Sequence, residues 1–216
     1  MNKKEIVFET AEYIKKEFSN EATGHDWWHI YRVWKDSCEL AKTEDCDLFV
    51  VEMAALLHDL SDFKFNEESE GKAKIVDWLN DQVVDKAEIE KILEVVEDIS
   101  FKGAGSEAKI RSKEAAVVQD ADRLDAIGAV GIARVFAYGG KVDRPLYDPN
   151  IKPIEHKDFE DYKKHGNNSS VNHFYEKLLL IKDRMNTESA KRIAEGRHKF
   201  MEQFLEEFYA EWEGER

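Results

Sequence analysis

Proline is nearly absent from this chain: three residues in 216, Pro145, Pro149 and Pro153, all in one short stretch. Elsewhere nothing locks φ or removes a backbone donor, so long helices can run without interruption. Cysteine is scarce too. Cys38 and Cys46 have neither the spacing of a metal-binding pair nor the company of a disulfide framework, which fits a reducing compartment. No apolar run reaches the ~20 residues needed to span a bilayer. The opening Met-Asn-Lys-Lys-Glu-Ile enters helical periodicity without the apolar core of a signal peptide, so the expected location is cytoplasmic, with no membrane partner. Positive charge is in deficit: 32 Lys and Arg face 46 Asp and Glu, a formal net charge of −14. Bulk attraction to nucleic acid or anionic lipid is thereby excluded. A phosphorylated small molecule has to be met by a local cationic pocket.

What is present suits a large core. Hydrophobic residues make up 42% of the chain, with five Trp, seven Tyr and twelve Phe. That composition supports one compact domain or two closely packed lobes. No period-two alternation of any length occurs, and the periodicity predicts helices at about 3–18, 26–43, 47–60, 67–80, 85–98, 111–122, 124–138, 170–185 and 187–212. The fold expected is an all-α helical bundle. Its metal-binding core spans about 20–140, and a long proline-containing loop covers 139–157. C-terminal helical residues 158–216 then pack on the core. The stretch Asp45-Cys46-Asp47 supplies the N-cap for the third helix. Gly128 and Gly131, three apart in an apolar segment, suit close helix packing. The loop at 139–157 is read either as a substrate-covering lid or as a surface excursion.

The run from Leu48 to Leu60 is hydrophobic round nearly its whole circumference, the mark of a buried helix, yet it ends on His58-Asp59. A buried imidazole and carboxylate lose water and need a partner; a divalent ion takes both and favours the ionised carboxylate. His25 and His29 lie four apart at the start of the second helix, on one face, and Asp120, Asp122 and Asp125 cluster at the end of a later one. Two imidazoles with two carboxylates form a mixed N/O set suited to Mn²⁺, and also to Mg²⁺, Fe²⁺, Co²⁺ or Ni²⁺, leaving positions for water and a substrate oxygen.

The order His29, His58-Asp59, Asp122, with the phrases His-Ile-Tyr-Arg-Val, Ala-Leu-Leu-His-Asp-Leu and Asp-Ala-Asp-Arg-Leu-Asp-Ala-Ile-Gly around them, resembles the HD superfamily of metal-dependent phosphohydrolases. Asn-His-Phe-Tyr-Glu-Lys-Leu-Leu, from Asn172, resembles a bacterial subgroup of small HD proteins acting on nucleotides. The resemblance spans about residues 20–200. It implies that His29, His58, Asp59 and Asp122 hold one divalent ion, with His29 rather than His25 and Asp122 rather than Asp120 or Asp125 as ligands. It also implies hydrolysis of a (deoxy)nucleoside triphosphate to monophosphate and pyrophosphate. The site chemistry would equally serve a nucleoside monophosphate or a small phosphodiester. A non-catalytic metal- or nucleotide-binding sensor is the rival from another class, and an alarmone hydrolase ranks third because the chain has Leu-Ser-Asp-Phe where that branch carries Glu-Asp.

Further residues fill supporting roles. Asp62, four after His58, can take a proton from water, and His25 can protonate a leaving oxygen. Arg32, Lys64, His173 and Lys177 are candidates for phosphate contacts; His173, Lys177 and Arg184 share one stripe if 170–185 is a single helix, beside an apolar stripe of Phe174, Leu178, Ile181 and Met185. Arg197 and His198 are weaker candidates. Phe101, Tyr138 and Tyr147 can stack a base, although core packing accounts better for most aromatics. Amphipathic helices such as 187–212 can support a homodimer.

Overall fold

The computed structural model describes residues 2–19, 26–61, 68–99, 110–154 and 169–216. All regular structure among them is helical: α1 (Lys3–Glu17), α2 (Trp27–Ala41), α3 (Leu48–Leu57), α4 (Glu68–Asp81), α5 (Lys86–Ile99), α6 (Lys113–Asp125), α7 (Gly128–Lys141), α8 (Asn172–Glu176) and α9 (Glu188–Trp212). Short 3₁₀ turns follow α3 at His58–Ser61 and α8 at Leu178–Leu180 and Lys182–Arg184. No helix among the described residues is long and apolar enough to cross a membrane. The chain divides into two compact units, one ending at Asp122 and the other beginning at Arg123.

The first unit is organised around α3. Phe49, Val50, Val51, Met53, Ala54, Ala55, Leu56 and Leu57 are all buried, as a helix apolar on every side requires. α1, α2 and α5 pack against it. Asp47 caps its start, its Oδ1 accepting from the amides of Phe49 at 3.0 Å and Val50 at 3.4 Å. The Asp47 amide in turn donates to Glu114 Oε1 at 2.8 Å, which ties the beginning of α6 to the beginning of α3. The ends of the segment between α5 and α6 are also joined, by Arg111 donating to Asp98 Oδ1 from Nε at 2.7 Å and to Oδ2 from its amide at 2.9 Å.

The second unit departs from expectation in two places. The helix expected at 170–185 breaks at Lys177, whose backbone (φ −143°, ψ −57°) leaves the helical region and ends α8. Two 3₁₀ turns carry the chain onward, so His173, Lys177 and Arg184 do not form one stripe of one helix. The apolar stripe survives, because a staircase of near-helical turns keeps roughly the same periodicity: Phe174, Leu178, Ile181 and Met185 are all buried. α6 runs on to Asp125, and the next helix starts only at Gly128, so Gly128 opens α7 instead of lying inside a helix. The loop at 139–157 is shorter than expected, since Gly139–Lys141 belong to α7. From 142 to 154 it is anchored by main-chain bonds: Ser170 N to Pro145 O at 2.9 Å and Val171 N to Leu146 O at 3.1 Å. Asn172 Nδ2 adds a bond to Ile151 O at 2.9 Å. Residues 155–157 lie outside the described residues.

Both cysteines are free thiols. Burial, then the nearby Glu52 carboxylate, pushes the Cys38 thiol up to about 12, with Lys35 opposing weakly; its Sγ is 3.8 Å from Glu52 Oε1. A raised thiol value means the neutral, unreactive form persists as pH rises. At pH 8 the thiolate fraction is on the order of one in ten thousand. Cys38 is therefore expected to resist iodoacetamide at pH 8 over hours in the folded protein and to react within minutes in urea. Peptide mass mapping checks this; rapid labelling of folded protein would contradict it.

Candidate metal centre

Each expected ligand in the first unit is placed by a local feature of the chain. His29 sits in the first turn of α2, and the side chain of Asp26 caps that helix by accepting from the His29 amide at 2.9 Å. Sequence reasoning placed Asp26 inside the helix and missed this. An Asp directly before an aromatic-rich helix was the available signal. His58 and Asp59 fall where α3 tightens into its 3₁₀ turn. The Nδ1–H of His58 donates to Ala55 O at 2.8 Å. A carbonyl only accepts, so the proton is held on Nδ1 and Nε2 presents its lone pair. Asp122 lies three residues before the end of α6.

The four side chains converge. His58 Nε2 is 3.3 Å from Asp59 Oδ1, and His29 Nε2 is 3.6 Å from Asp59 Oδ2 and 3.5 Å from Asp122 Oδ1. One ligand atom from each of His29, His58 and Asp59 lies within 4.8 Å of the others. The two imidazoles meet edge to face at 5.6 Å. Ligands about 2.1 Å from an octahedral ion stand about 3.0 Å apart when adjacent and about 4.2 Å when opposite. The nitrogen–oxygen separations of 3.3, 3.5 and 3.6 Å fall in that interval, and the N/O donor set suits a divalent ion. The side chains of His29, His58 and Asp59 are only 1%, 6% and 4% exposed, whereas that of Asp122 is 39% exposed, so the set is closed on one side and accessible on the other. A hydrolytic site needs such an opening.

The neighbouring acids are placed differently. Asp120 is wholly buried, and Asp125 is buried in an ion pair with Arg134. Arg32, three residues after His29 on α2, is half-buried. His25, Asp62, Lys64 and Phe101 lie outside the described residues. In the second unit, His173 is half-buried on α8 and Lys177 and Arg184 are exposed. Arg197 does not present a free head for phosphate: its Nη1 donates to Leu124 O at 2.6 Å. His198 pairs with Glu202 at 3.3 Å. Tyr147 packs against Phe208, Tyr209 and Trp212, with the Trp212 ring centroid at 5.0 Å, which makes it part of an aromatic cluster. Tyr138 is exposed, with the Arg144 guanidinium 5.8 Å from its ring centroid.

The HD domain matches this chain over residues 27–127, a stretch that holds all four of these side chains, and the chain belongs to the HD-domain family. Among individual proteins it is similar to YpgQ of Bacillus subtilis (strain 168), 38% identical over 195 residues that cover 89% of this chain and 87% of that one. A crystal structure of an HD-superfamily hydrolase from Bacillus thuringiensis is 43% identical, with TM-score 0.80, covering 99% of this chain and 100% of the other. The crystal structure of Bacillus subtilis YpgQ in complex with ADP is 35% identical, with TM-score 0.72, covering 94% and 98%.

Proposed function

We propose that this protein is a metal-dependent nucleotide phosphohydrolase that cleaves a (deoxy)nucleoside triphosphate to monophosphate and pyrophosphate. His29, His58, Asp59 and Asp122 would hold one divalent ion, Mn²⁺ by preference. The observation that carries the reading is the set of nitrogen–oxygen separations of 3.3, 3.5 and 3.6 Å among these four side chains. Bound there, such an ion would make a neighbouring water more acidic and polarise a phosphoryl oxygen.

The residues of the chain supply the rest. Nδ1 of His58, fixed by Ala55 O, keeps the ring from rotating and, in the neutral ring, leaves the lone pair on Nε2. Water attacks the α-phosphorus, the bond to the bridging oxygen breaks, and pyrophosphate leaves. Asp62 takes the proton lost by the water and His25 returns one to the leaving oxygen. Arg32 and Lys64 offset charge on the nonbridging oxygens. Support for a nucleotide comes from YpgQ, which crystallised with ADP. A protein of net charge −14 also draws no general benefit from anionic ligands, so binding one calls for a dedicated pocket.

The test is a product assay with Mn²⁺ over nucleoside mono-, di- and triphosphates in both sugar series. Stoichiometric pyrophosphate and monophosphate from a triphosphate are expected. Release of inorganic phosphate alone, from monophosphates, would overturn the pyrophosphohydrolase reading.

A further inference from the structure

The last turn of α6 is held by two arginines, one from the next helix and one from far along the chain. Arg197, on α9, donates from Nη1 to Leu124 O at 2.6 Å, an acceptor that also takes the Ile127 amide at 3.2 Å. Arg134, on α7, donates to Asp125 O at 3.4 Å and pairs with the Asp125 carboxylate. Helix C-terminal carbonyls need partners of this kind, and cations there also meet the negative end of the helix dipole.

Gly128 is built around the first of these contacts. Its φ of +77° is one that side chains rarely adopt. A Cβ there would stand 2.9 Å from Arg197 Cγ and 3.0 Å from Arg197 Cβ. The arginine stem therefore lies flat across a backbone position with no side chain, and its head reaches past it to Leu124 O.

Asp122 sits two residues before Leu124, on the same helix. The side chains of His29, His58 and Asp59 are at most 6% exposed, whereas that of Asp122 is 39% exposed, so less packing surrounds it and the helix that carries it matters more to its placement. A coordinating group has to be fixed to within roughly 0.5 Å.

We propose that Arg197, seated on Gly128 and bonded to Leu124 O, is a positioning residue that sets the end of α6 and through it the carboxylate of Asp122. This rests on the reading of Asp122 as a metal ligand.

The experiment is a Mn²⁺ titration, following free Mn²⁺ by electron paramagnetic resonance, of the wild type, Arg197→Met, Arg197→Lys, Asp122→Asn and the double variant Asp122→Asn/Arg197→Met. Methionine keeps much of the stem over Gly128 and removes the donor. Lysine keeps the stem and the charge and tests rescue if the methionine variant fails to fold. Arg197→Met is expected to bind Mn²⁺ about tenfold more weakly, the scale seen when outer partners of metal ligands are removed. Arg197→Lys should lie between it and the wild type, and the double variant should match Asp122→Asn alone. Wild-type affinity in Arg197→Met overturns the proposal. So does an equal tenfold loss in both backgrounds, because a general loosening would not run through Asp122. Asp122→Asn binding like the wild type would instead remove Asp122 from the ligand set, and the proposal with it.

Discussion

Asp59→Asn is expected to abolish tight Mn²⁺ binding, with affinity down by at least about a hundredfold and hydrolysis by about a thousandfold or more. Asp59 is the hub of the centre: one carboxylate oxygen faces His58 Nε2 at 3.3 Å and the other faces His29 Nε2 at 3.6 Å. Asparagine has the same shape, so packing around a side chain only 4% exposed is kept while the charge that draws the ion is lost. The amide also turns a donor toward imidazole nitrogens that now have no shared cation. A stability readout separates this from misfolding. Mn²⁺ at a hundred times its dissociation constant should stabilise the wild type by about 2.7 kcal/mol and leave Asp59→Asn unmoved, while the two metal-free proteins unfold alike. Denaturation with Mn²⁺ and with EDTA checks this. A variant still stabilised by Mn²⁺ to the wild-type extent would show that Asp59 does not coordinate it.

The parts of this molecule legible in its sequence are those written in short-range pattern. α3 could be read because apolar residues on every side leave a helix nowhere to sit but the interior, and its His58-Asp59 ending stands out against that background. A cap within Asp45-Cys46-Asp47 could be read from its neighbours, and the structure gives the role to Asp47. The all-α architecture followed from 3.6-residue periodicity and from the confinement of proline to 145–153. The convergence of His29, His58, Asp59 and Asp122 was reached through ordered motifs, since nothing local relates residues so far apart. What escaped was long-range or depended on competing backbone states. Arg197 meets Leu124 across 73 residues and Arg123 meets the Arg184 carbonyl across 61, and neither pairing leaves a trace in local composition. The start of α7 at Gly128 follows from a positive φ that closes on an arginine from α9, so Gly128 looked like a residue inside a helix, which of the two glycines only Gly131 is. The break at Lys177 is a tertiary choice too: no proline or glycine marks it, and the Lys177 amide still donates to His173 O at 3.0 Å before the chain turns away.

The same break makes Phe174→Ala the second large effect, an expected loss of about 3–5 kcal/mol in the stability of the second unit. α8 has only five residues, too few to hold a helix by its own hydrogen bonds. Its place is secured by what it buries. The Phe174 ring is fully enclosed, stacked on Phe204 at 5.8 Å and tilted against Phe136 at 6.0 Å, so it bridges α8 to α9 and α7. Truncation removes that contact and leaves a cavity between helices that cannot all collapse at once. Because the chain forms two compact units, one melting curve need not describe both. Hydrogen exchange resolves them: amides of α7, α8 and α9 are expected to exchange on the order of a hundredfold or more faster, while those of α3 and α5 keep their protection. Unchanged exchange in α9 would mean that the staircase from α8 to Arg184 is held by something other than this aromatic stack. A uniform loss extending into α3 would mean that the two units unfold as one.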